Sequence, residues 1–448
     1  MRTLLLPLAA ALLSSSALAA PPAPGLGYDI VEGLTTEVGP RLAGTEAEAR
    51  ARDWAVARLK ALGFANVHVE PFDMPVWVRG AETAEVVSPF PQRLVLAALG
   101  NSGSTPDAGL TAEIVGFPSL DALKAAPDAA VKGKIVFVWH RMMAMQDGSS
   151  YGTYGPIRFA GAAIASKKGA AAILIRSIGT DHHRVAHTGV TDWLDGARPI
   201  PAAALTVPDA EQLERILARG KPVTIHLTLT PKMVGTHQSG NVIAEVPGTD
   251  PSAGIVLIGG HIDSWDLGTG AIDDGAGVAT TTAAAKTILD GPRPKRTIRL
   301  VWFGAEEPGG FGGEAYAKAH GTEKHALAAE ADFGGDKVYG FRASFAQPQS
   351  ALRDELTAKL NLIGVEPRRG AADGGEDVGP MVQKGVPVID LLNDGMHYFD
   401  IHHTADDTLD KIDPAQLQQA IDAWSIMLRT VVDSSDPLTP LPPRKDQE

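Results

Sequence analysis

The sequence predicts an α/β protein in which a central sheet is flanked by helices and interrupted by a mostly-β insert. From Gln238 onward, buried strands alternate with loops and helices, and polar residues follow the carboxyl ends of the strands. Between about 77 and 230, short β-rich runs alternate instead with turns rich in Gly, Pro and Ser. The 448 residues, of which 44% are hydrophobic, suffice for two or three domains.

The first twenty residues have the pattern of a signal peptide. Arg2 supplies a positive start, Leu4 to Leu13 form an apolar run, and Ala17-Leu18-Ala19-Ala20 offers a small-residue cleavage site. An N-terminal anchor is the alternative, but the run is short for a membrane span. We therefore expect residues 1–20 to be removed, and the mature protein to be exported to a periplasm or out of the cell without membrane contact.

The mature chain begins with helical sequence. Residues 29–64 read as helix, with an interruption at Gly39-Pro40-Arg41-Leu42, and Thr45 caps the clear stretch Glu46 to Leu62. Asn66 to Phe72 then alternates between apolar and polar residues, as a half-buried strand does. These elements form the first part of the main domain.

The β-rich stretch is predicted to be an insert at 78–234, between two parts of the main domain at 21–77 and 235–435. Its candidate strands are 84–87, 93–99, 111–117, 133–139, 170–176, 202–207 and 223–229. The polar, Pro-rich end of the chain at 436–448 is predicted to be a flexible tail.

The second part of the main domain supplies the remaining elements. We predict buried strands at 241–246, 255–258, 297–303 and 386–392, and helices at 276–289 and 414–432. The last three of these strands each lead into a segment rich in His or acidic residues. Because a site in an α/β sheet lies at the carboxyl ends of its strands, these segments are the candidates for function.

Composition excludes several classes of protein and of site. Forty Lys and Arg against 53 Asp and Glu give a net charge of −13, which argues against nucleic-acid binding because phosphates require cationic partners. The absence of Cys excludes disulfides, thiolate nucleophiles and Cys-based metal sites. Any metal ion must therefore be held by His, Asp and Glu.

Five segments concentrate these three residue types: 259–264, 270–277, 304–307, 330–332 and 402–408. Each has an ordinary explanation by itself, since a lone His is usually solvated, Asp-Asp-Gly is a common turn and paired Glu usually face solvent. Together they fit a pair of zinc ions, which need a bridging carboxylate and a second acid left free to move a proton. Adjacent glutamates at a strand end can divide the tasks of binding metal and moving that proton.

The motifs resemble those of the co-catalytic dizinc exopeptidases, a family that includes bacterial secreted aminopeptidases and glutamate carboxypeptidases. The resemblance is greatest to the plasma glutamate carboxypeptidase (carboxypeptidase Q) branch, and it rests on residues 39–44, 261–266, 305–307 and 403–408. The insert resembles a protease-associated domain. The resemblance implies a mixed central sheet of the zinc exopeptidase type, flanked by helices.

The resemblance also implies two zinc ions and their ligands. His261 and Asp332 would bind one ion, Glu307 and His403 the other, and Asp273 would bridge them. Asp274 neighbours the bridge, but the motif favours Asp273.

Two catalytic residues follow from the same resemblance. Glu306 would be the general base for the water that bridges the ions, and Asp263 would orient His261 through the second ring N–H. The role of His402, which precedes His403, stays open; it could face the oxyanion.

The sequence therefore predicts an exported zinc exopeptidase that acts on dipeptides or short peptides, of the carboxypeptidase or dipeptidase type. An aminopeptidase or another amide hydrolase is the alternative, and a metal-free binding protein is a further one. Manganese or cobalt could replace zinc, and a homodimer is possible. We interpret Asp181-His182-His183 and His187 in the insert as an exposed loop near the cleft rather than as a metal site.

Overall fold

The computed structural model describes residues 25–347 and 350–443, so the predicted signal peptide lies outside the described residues. Within these ranges the strands β1 to β16 are Ala65–Val78, Glu82–Ser88, Gln92–Leu94, Leu96–Ala98, Leu110–Phe117, Ile135–Val138, Ala172–Arg176, Ala202–Leu205, Thr224–Leu229, Lys232–Val246, Ile255–His261, Thr297–Phe303, His325–Glu330, Val338–Ser344, Glu366–Pro367 and Val388–Asn393. The helices α1 to α12 are Leu26–Gly33, Glu46–Ala61, Leu120–Ala125, Asp128–Val131, Ser149–Lys167, Val207–Leu217, Ala276–Asp290, Phe311–His320, Ala351–Leu360, Gly379–Gln383, Tyr398–Ile401 and Pro414–Asp433.

The first sheet has eight strands in the order β1-β10-β12-β11-β13-β16-β14-β15. Strands β12, β11, β13 and β16 run parallel to one another. Strands β10 and β14 add to this group through antiparallel pairs with β12 and β16, and β1 pairs antiparallel with β10. The predicted mixed central sheet is therefore confirmed. The long antiparallel pair β1–β10 leads into the insert and out of it again.

Helices cover both faces of this sheet. Helices α1, α7 and α12 pack on one face, where Val278 and Trp424 lie in the largest apolar core. Helices α8 and α10 cover the other face through Tyr316 and Met381. This burial explains why β11 and β12 read as continuous apolar runs, since parallel strands covered on both faces have no solvent side.

The insert contains a second eight-stranded sheet, in the order β3-β2-β9-β5-β6-β7-β8-β4. Its strands lie where the β-rich runs predict them, although the run 93–99 is divided into β3 and β4. The insert also carries α5 and α6, which the composition does not predict. Gly152, Gly155 and Pro156 interrupt the helical pattern of α5. The domain boundaries and the resemblance to a protease-associated domain stay predictions.

Two further differences from the sequence analysis concern strand β13 and the tail. The sequence His-Ala-Leu-Ala-Ala-Glu of β13 has little β-propensity, so burial within the sheet rather than local preference makes it a strand. The described part of the predicted flexible tail packs on the main body instead. Leu438 is buried in the core, and the carbonyl of Asp436 accepts a hydrogen bond from Arg296. Among the described residues, every helix is too short or too polar to cross a lipid bilayer.

Candidate metal centre

Three neighbouring strands end at one edge of the first sheet and deliver His and acidic side chains there. Strand β11 ends at His261, which lies opposite Phe303 at the end of β12, and β13 ends at Glu330. Because these strands are parallel, their carboxyl ends meet at the same edge. The residues that follow β12 and β13 at this edge include Glu306, Glu307 and Asp332.

The carboxylate of Asp273 lies between two imidazoles. Its Oδ1 is 3.0 Å from Nε2 of His261, and its Oδ2 is 3.2 Å from Nε2 of His403. Asp273 belongs to the irregular turn Ala271–Gly275 that precedes α7. One carboxylate thus presents a different oxygen to each imidazole, which is the arrangement of a bridging ligand.

Two more acids complete the groups on either side of Asp273. Oδ1 of Asp332 is 3.4 Å from Nε2 of His261, and Oε2 of Glu307 is 3.0 Å from Nε2 of His403. We call His261, Asp332 and Oδ1 of Asp273 the His261 half, and His403, Glu307 and Oδ2 of Asp273 the His403 half. Each half offers one imidazole nitrogen and carboxylate oxygens, which are the ligand types of zinc.

Several carboxylate oxygens of this cluster lack a hydrogen-bond partner within the described part of the chain, and metal ions could interact with them instead. Oδ2 of Asp273, Oε1 of Glu307 and Oδ1 of Asp332 are buried and have no hydrogen-bond partner among the described residues. A buried carboxylate oxygen without a partner is unfavourable because it has lost its water. A divalent cation in each half would supply the missing partner.

Asp274 is the neighbouring candidate for the bridge, and its oxygens lie close to His261 and Asp332. Both of its oxygens already accept backbone hydrogen bonds, Oδ2 from the amide of His261 at 3.0 Å and Oδ1 from the amide of Gly277 at 2.9 Å. Asp274 is therefore a structural group that fixes the start of α7 against the end of β11, and Asp273 is the better candidate for the bridge.

Comparison with known proteins identifies the family. Residues 241–427 match the model of Peptidase family M28. The chain is 36% identical over 415 residues to carboxypeptidase Q of Bos taurus, an alignment that covers 92% of this chain and 86% of that protein. The chain belongs to peptidase family M28. It is accordingly a zinc-dependent exopeptidase.

Solved structures agree with this assignment. The Peptidase M28 precursor from Shewanella amazonensis is 48% identical and superposes with a TM-score of 0.90, covering 94% of this chain and 96% of that one. A zinc aminopeptidase from Bacillus subtilis is 22% identical, with a TM-score of 0.66 over 93% of this chain and 97% of that one. The second likeness shows a shared fold.

This M28 site places several acidic side chains close together, and their burial and mutual repulsion shift their pKa values. Burial and the charge of Asp332 raise the pKa of Glu306 well above its ordinary value, and burial likewise raises the pKa of Asp332. Burial opposes protonation of His403, but Glu307 and Asp273 outweigh it and raise the pKa of His403 to about 9. The cluster therefore attracts positive charge, as protons or as metal ions.

Asp263 contacts residues on both sides of the cluster, but its carboxylate does not make the predicted hydrogen bond to the ring of His261. Its backbone carbonyl, not its carboxylate, lies 3.1 Å from Nδ1 of His261; the nearer carboxylate oxygen is 3.8 Å away. The carboxylate instead accepts hydrogen bonds from the amides of Glu306 and Glu307, at 3.1 and 3.3 Å. Asp263 therefore fixes the turn after β12, which passes through Ala305 at a φ of 58°.

His402 lies directly against the site. Its ring stacks on that of His403 with centroids 3.6 Å apart, and its Nε2 is 3.6 Å from Oδ2 of Asp273. Its Nδ1 is buried without a hydrogen-bond partner among the described residues. Burial and the charge of His403 lower the pKa of His402 well below its ordinary value, so the ring is neutral.

Two buried residues that sequence reasoning did not assign to the site hold the loop in front of Asp273. Arg41 donates to the carbonyls of Thr269 and Gly270 at 2.6 and 2.9 Å, and also to that of Ile262. Asp407 accepts from the amides of Ala271 and Ile272 at 2.8 and 2.7 Å. Both residues lie in the motifs quoted for the family resemblance, but only the folded chain shows what they touch.

Proposed function

We propose that this chain cleaves dipeptides or short peptides at one end, as a carboxypeptidase or dipeptidase with two zinc ions. The proposed ligands are His261, Asp273, Glu307, Asp332 and His403. The observation that carries the proposal is the Asp273 carboxylate, whose two oxygens face two separate pairs of imidazole and acid. We also propose that the protein is exported, in keeping with the pattern of residues 1–20.

In the proposed mechanism, side chains of the protein hold the metal ions, and the carboxylate of Glu306 transfers a proton. Two zinc ions would supply the Lewis acidity that activates a water and polarises the scissile carbonyl. Glu306 accepts the proton of that water on its carboxylate and passes it to the leaving amine. Burial raises the pKa of Glu306, which makes its carboxylate a stronger base. The neutral ring of His402 stabilises the negative charge that develops on the carbonyl oxygen.

A cavity of about 250 Å³ beside Asp332 supports the carboxypeptidase polarity. Arg342, Tyr339 and Asn393 are among the residues that line it, together with Asp332. Nε of Arg342 is buried without a hydrogen-bond partner among the described residues. A guanidinium recognises carboxylates in a bidentate manner, so we assign Arg342 to the free α-carboxylate of the substrate.

An aminopeptidase is the second candidate, and the same cavity contains the observation that favours it. The carboxylates of Asp147, Asp373 and Asp390 also line the cavity, and they could receive a free α-amino group. A bacterial zinc aminopeptidase shares the fold.

The test is hydrolysis of one dipeptide in four forms by the mature chain loaded with zinc: free, N-acetylated, C-amidated and doubly blocked. We expect the C-amidated form to be resistant and the free form to be cleaved. The Arg342→Gln variant should raise KM for the free form about 10–100-fold, as expected when a charged hydrogen bond is lost. Arg369→Gln, at an exposed arginine outside the cavity, is the matched control.

One result would contradict this polarity, and another would contradict the role of Arg342. Cleavage of the C-amidated form with resistance of the N-acetylated form would identify an aminopeptidase. An unchanged KM in Arg342→Gln would remove the carboxylate assignment even if the polarity held.

A further inference from the structure

The insert touches the loop that carries His403, through the segment 180–191 that connects β7 to β8. The amide of Thr180 donates to the carbonyl of Phe399 at 3.0 Å. Nδ1 of His187 lies 2.7 Å from the carbonyl of His402, and the amide of Thr188 donates to the carbonyl of His403 at 3.0 Å. The insert therefore binds the backbone of this loop at three carbonyls.

His187 is itself held in place. Its Nε2 lies 2.7 Å from Oδ1 of Asp181, and the side chains of the two residues are 1% and 0% exposed. The amide of His187 donates to Oγ of Ser177 at 3.0 Å. Both ring nitrogens thus face groups that only accept hydrogen bonds, so the ring has one orientation in which both contacts are made.

These contacts lie on both sides of a strained residue. His403 has a φ of 62°, a left-handed conformation that is unfavourable for a non-glycine residue. The carbonyl before it accepts from His187, and its own carbonyl accepts from Thr188. Because the peptides on both sides of its Cα are fixed, the ring of His403 is aimed at Glu307 and Asp273.

A fourth contact from the insert reaches the ring of His403 itself. Arg158 on α5 is buried, and its Nη1 lies 3.2 Å from Nδ1 of His403 and 3.5 Å from the carbonyl of Thr188. The His261 half differs: within the described ranges, neither His261 nor Asp332 makes a hydrogen bond or ion pair with residues 78–234.

We infer that the insert is a working part of the metal centre, and that His187, supported by Asp181, is the positioning residue that holds the His403 half in its binding geometry. The inference rests on the proposed function, since it concerns the proposed ligands. Asp181 and His187, which resemble a loose surface motif in the sequence, are the contact by which the insert controls one of two metal positions.

The experiment compares His187→Ala, Asp181→Asn and wild-type mature chain. The matched control is His182→Ala, because the side chain of His182 is 69% exposed and pairs with Glu211, away from the loop. Each zinc-loaded protein is dialysed against increasing concentrations of a chelator, and its zinc content is measured. We expect His187→Ala to lose one ion at a 10–100-fold lower chelator concentration, as for other residues that orient metal ligands, and to keep the second ion as wild type does.

Asp181→Asn should lie between wild type and His187→Ala, because its amide oxygen can still accept from Nε2. His182→Ala should match wild type. If His187 only stabilised the fold, its substitution would weaken the binding of both ions equally and lower the melting temperature of the metal-free protein. The inference would be overturned if both His187→Ala and Asp181→Asn lost the two ions equally easily, or if both variants lost the two ions at the same chelator concentrations as wild type.

Hydrogen exchange in the metal-free proteins gives a readout that needs no zinc. We expect the amides of residues 399–404 to exchange faster in His187→Ala and Asp181→Asn than in wild type, while those of β11 are unchanged. Equal exchange at 399–404 would overturn the inference even without metal data. If wild type itself bound fewer than two ions, the proposed function would fail instead, and the exchange result would still decide the contact.

Discussion

The two halves of the candidate metal centre are built in different ways. The His261 half comes from the ends of β11 and β13, which are adjacent parallel strands of one sheet. The His403 half joins Glu307, after β12, to a loop that the insert holds at its backbone. Hydrogen bonding within the sheet is enough to place the first half, whereas the second depends on contacts between residues about 215 positions apart.

The halves also differ in their access to solvent. Glu306 and Asp332 are 17% and 22% exposed at their side chains, whereas Glu307 is 3% exposed. The cavity with Arg342 opens beside Asp332. We therefore expect substrate to approach from the more exposed His261 half, whereas Glu307 places the His403 half on the enclosed side.

Removing the shared carboxylate should have the largest effect, because Asp273 belongs to both halves. Burial opposes ionisation of Asp273, but the hydrogen bond from His261 and the positive charge of His403 outweigh it and hold the pKa of Asp273 well below its ordinary value. We expect Asp273→Asn to lose both ions, and its turnover to fall by more than the roughly 10²–10⁴-fold that removal of a general base costs. Zinc content and peptide hydrolysis measure the two effects.

Asp274→Asn is the matched control for that variant. Burial raises the pKa of Asp274 well above its ordinary value, so an amide resembles its neutral form. The substitution removes one of two acceptors for backbone amides, at a cost of about 1 kcal/mol of stability. It should keep both ions. Loss of both ions in Asp274→Asn but not in Asp273→Asn would move the bridge to the neighbouring residue.

The difference between residues placed by the sheet and residues placed by the insert also explains what could be predicted from the sequence. His261, Glu306 and Glu307 follow apolar runs that read as buried strands, so their meeting at one sheet edge follows from the pattern. Asp332 follows β13, whose Ala-rich sequence gives no strand signal, and only the family motif indicates its place. The mixed sheet and the family were predicted correctly.

The contacts of the insert could not be predicted in this way. His187 and Arg158 are distant in sequence from His403, and no local pattern indicates which loop a domain will touch. The sequence predicts an exposed loop near the cleft at Asp181 and His187, whereas the side chains of these two residues are 0% and 1% exposed in the structure. Long-range packing decides burial at such positions, and periodicity does not report it.

The next largest effect should come from Glu306, which belongs to neither half. We expect Glu306→Gln to retain both zinc ions and to lose about 10²–10⁴-fold in turnover, since the amide cannot accept the proton of the water. The KM for a free dipeptide should change little. A variant with normal turnover would show that another group is the base, and a variant without zinc would show that Glu306 is a ligand.

The smallest effect concerns the stability of the metal-free protein, to which acids near each half contribute. Burial raises the pKa of Asp263, next to the His261 half, to about 7, and burial with the charge of Asp273 raises that of Asp407 to about 7. Each folded acid therefore keeps a proton that the unfolded chain has already released. This stabilisation is complete below about pH 4 and is lost as the pH rises through 7.

We therefore expect the urea midpoint of the metal-free protein to decrease as the pH is raised from about 4 to about 7. Bound zinc should oppose this trend because its ligands must be deprotonated. Asp407→Asn isolates one contribution, since its amide oxygen can still accept from Ala271 and Ile272 but cannot titrate. The free energy of unfolding of this variant should change less with pH than that of wild type, by about 1.4 kcal/mol for each unit by which the pKa of Asp407 is raised. An identical pH dependence would mean that Asp407 is ionised in the folded protein, and that Arg41, whose carbonyl contacts lie in the same loop, compensates its charge.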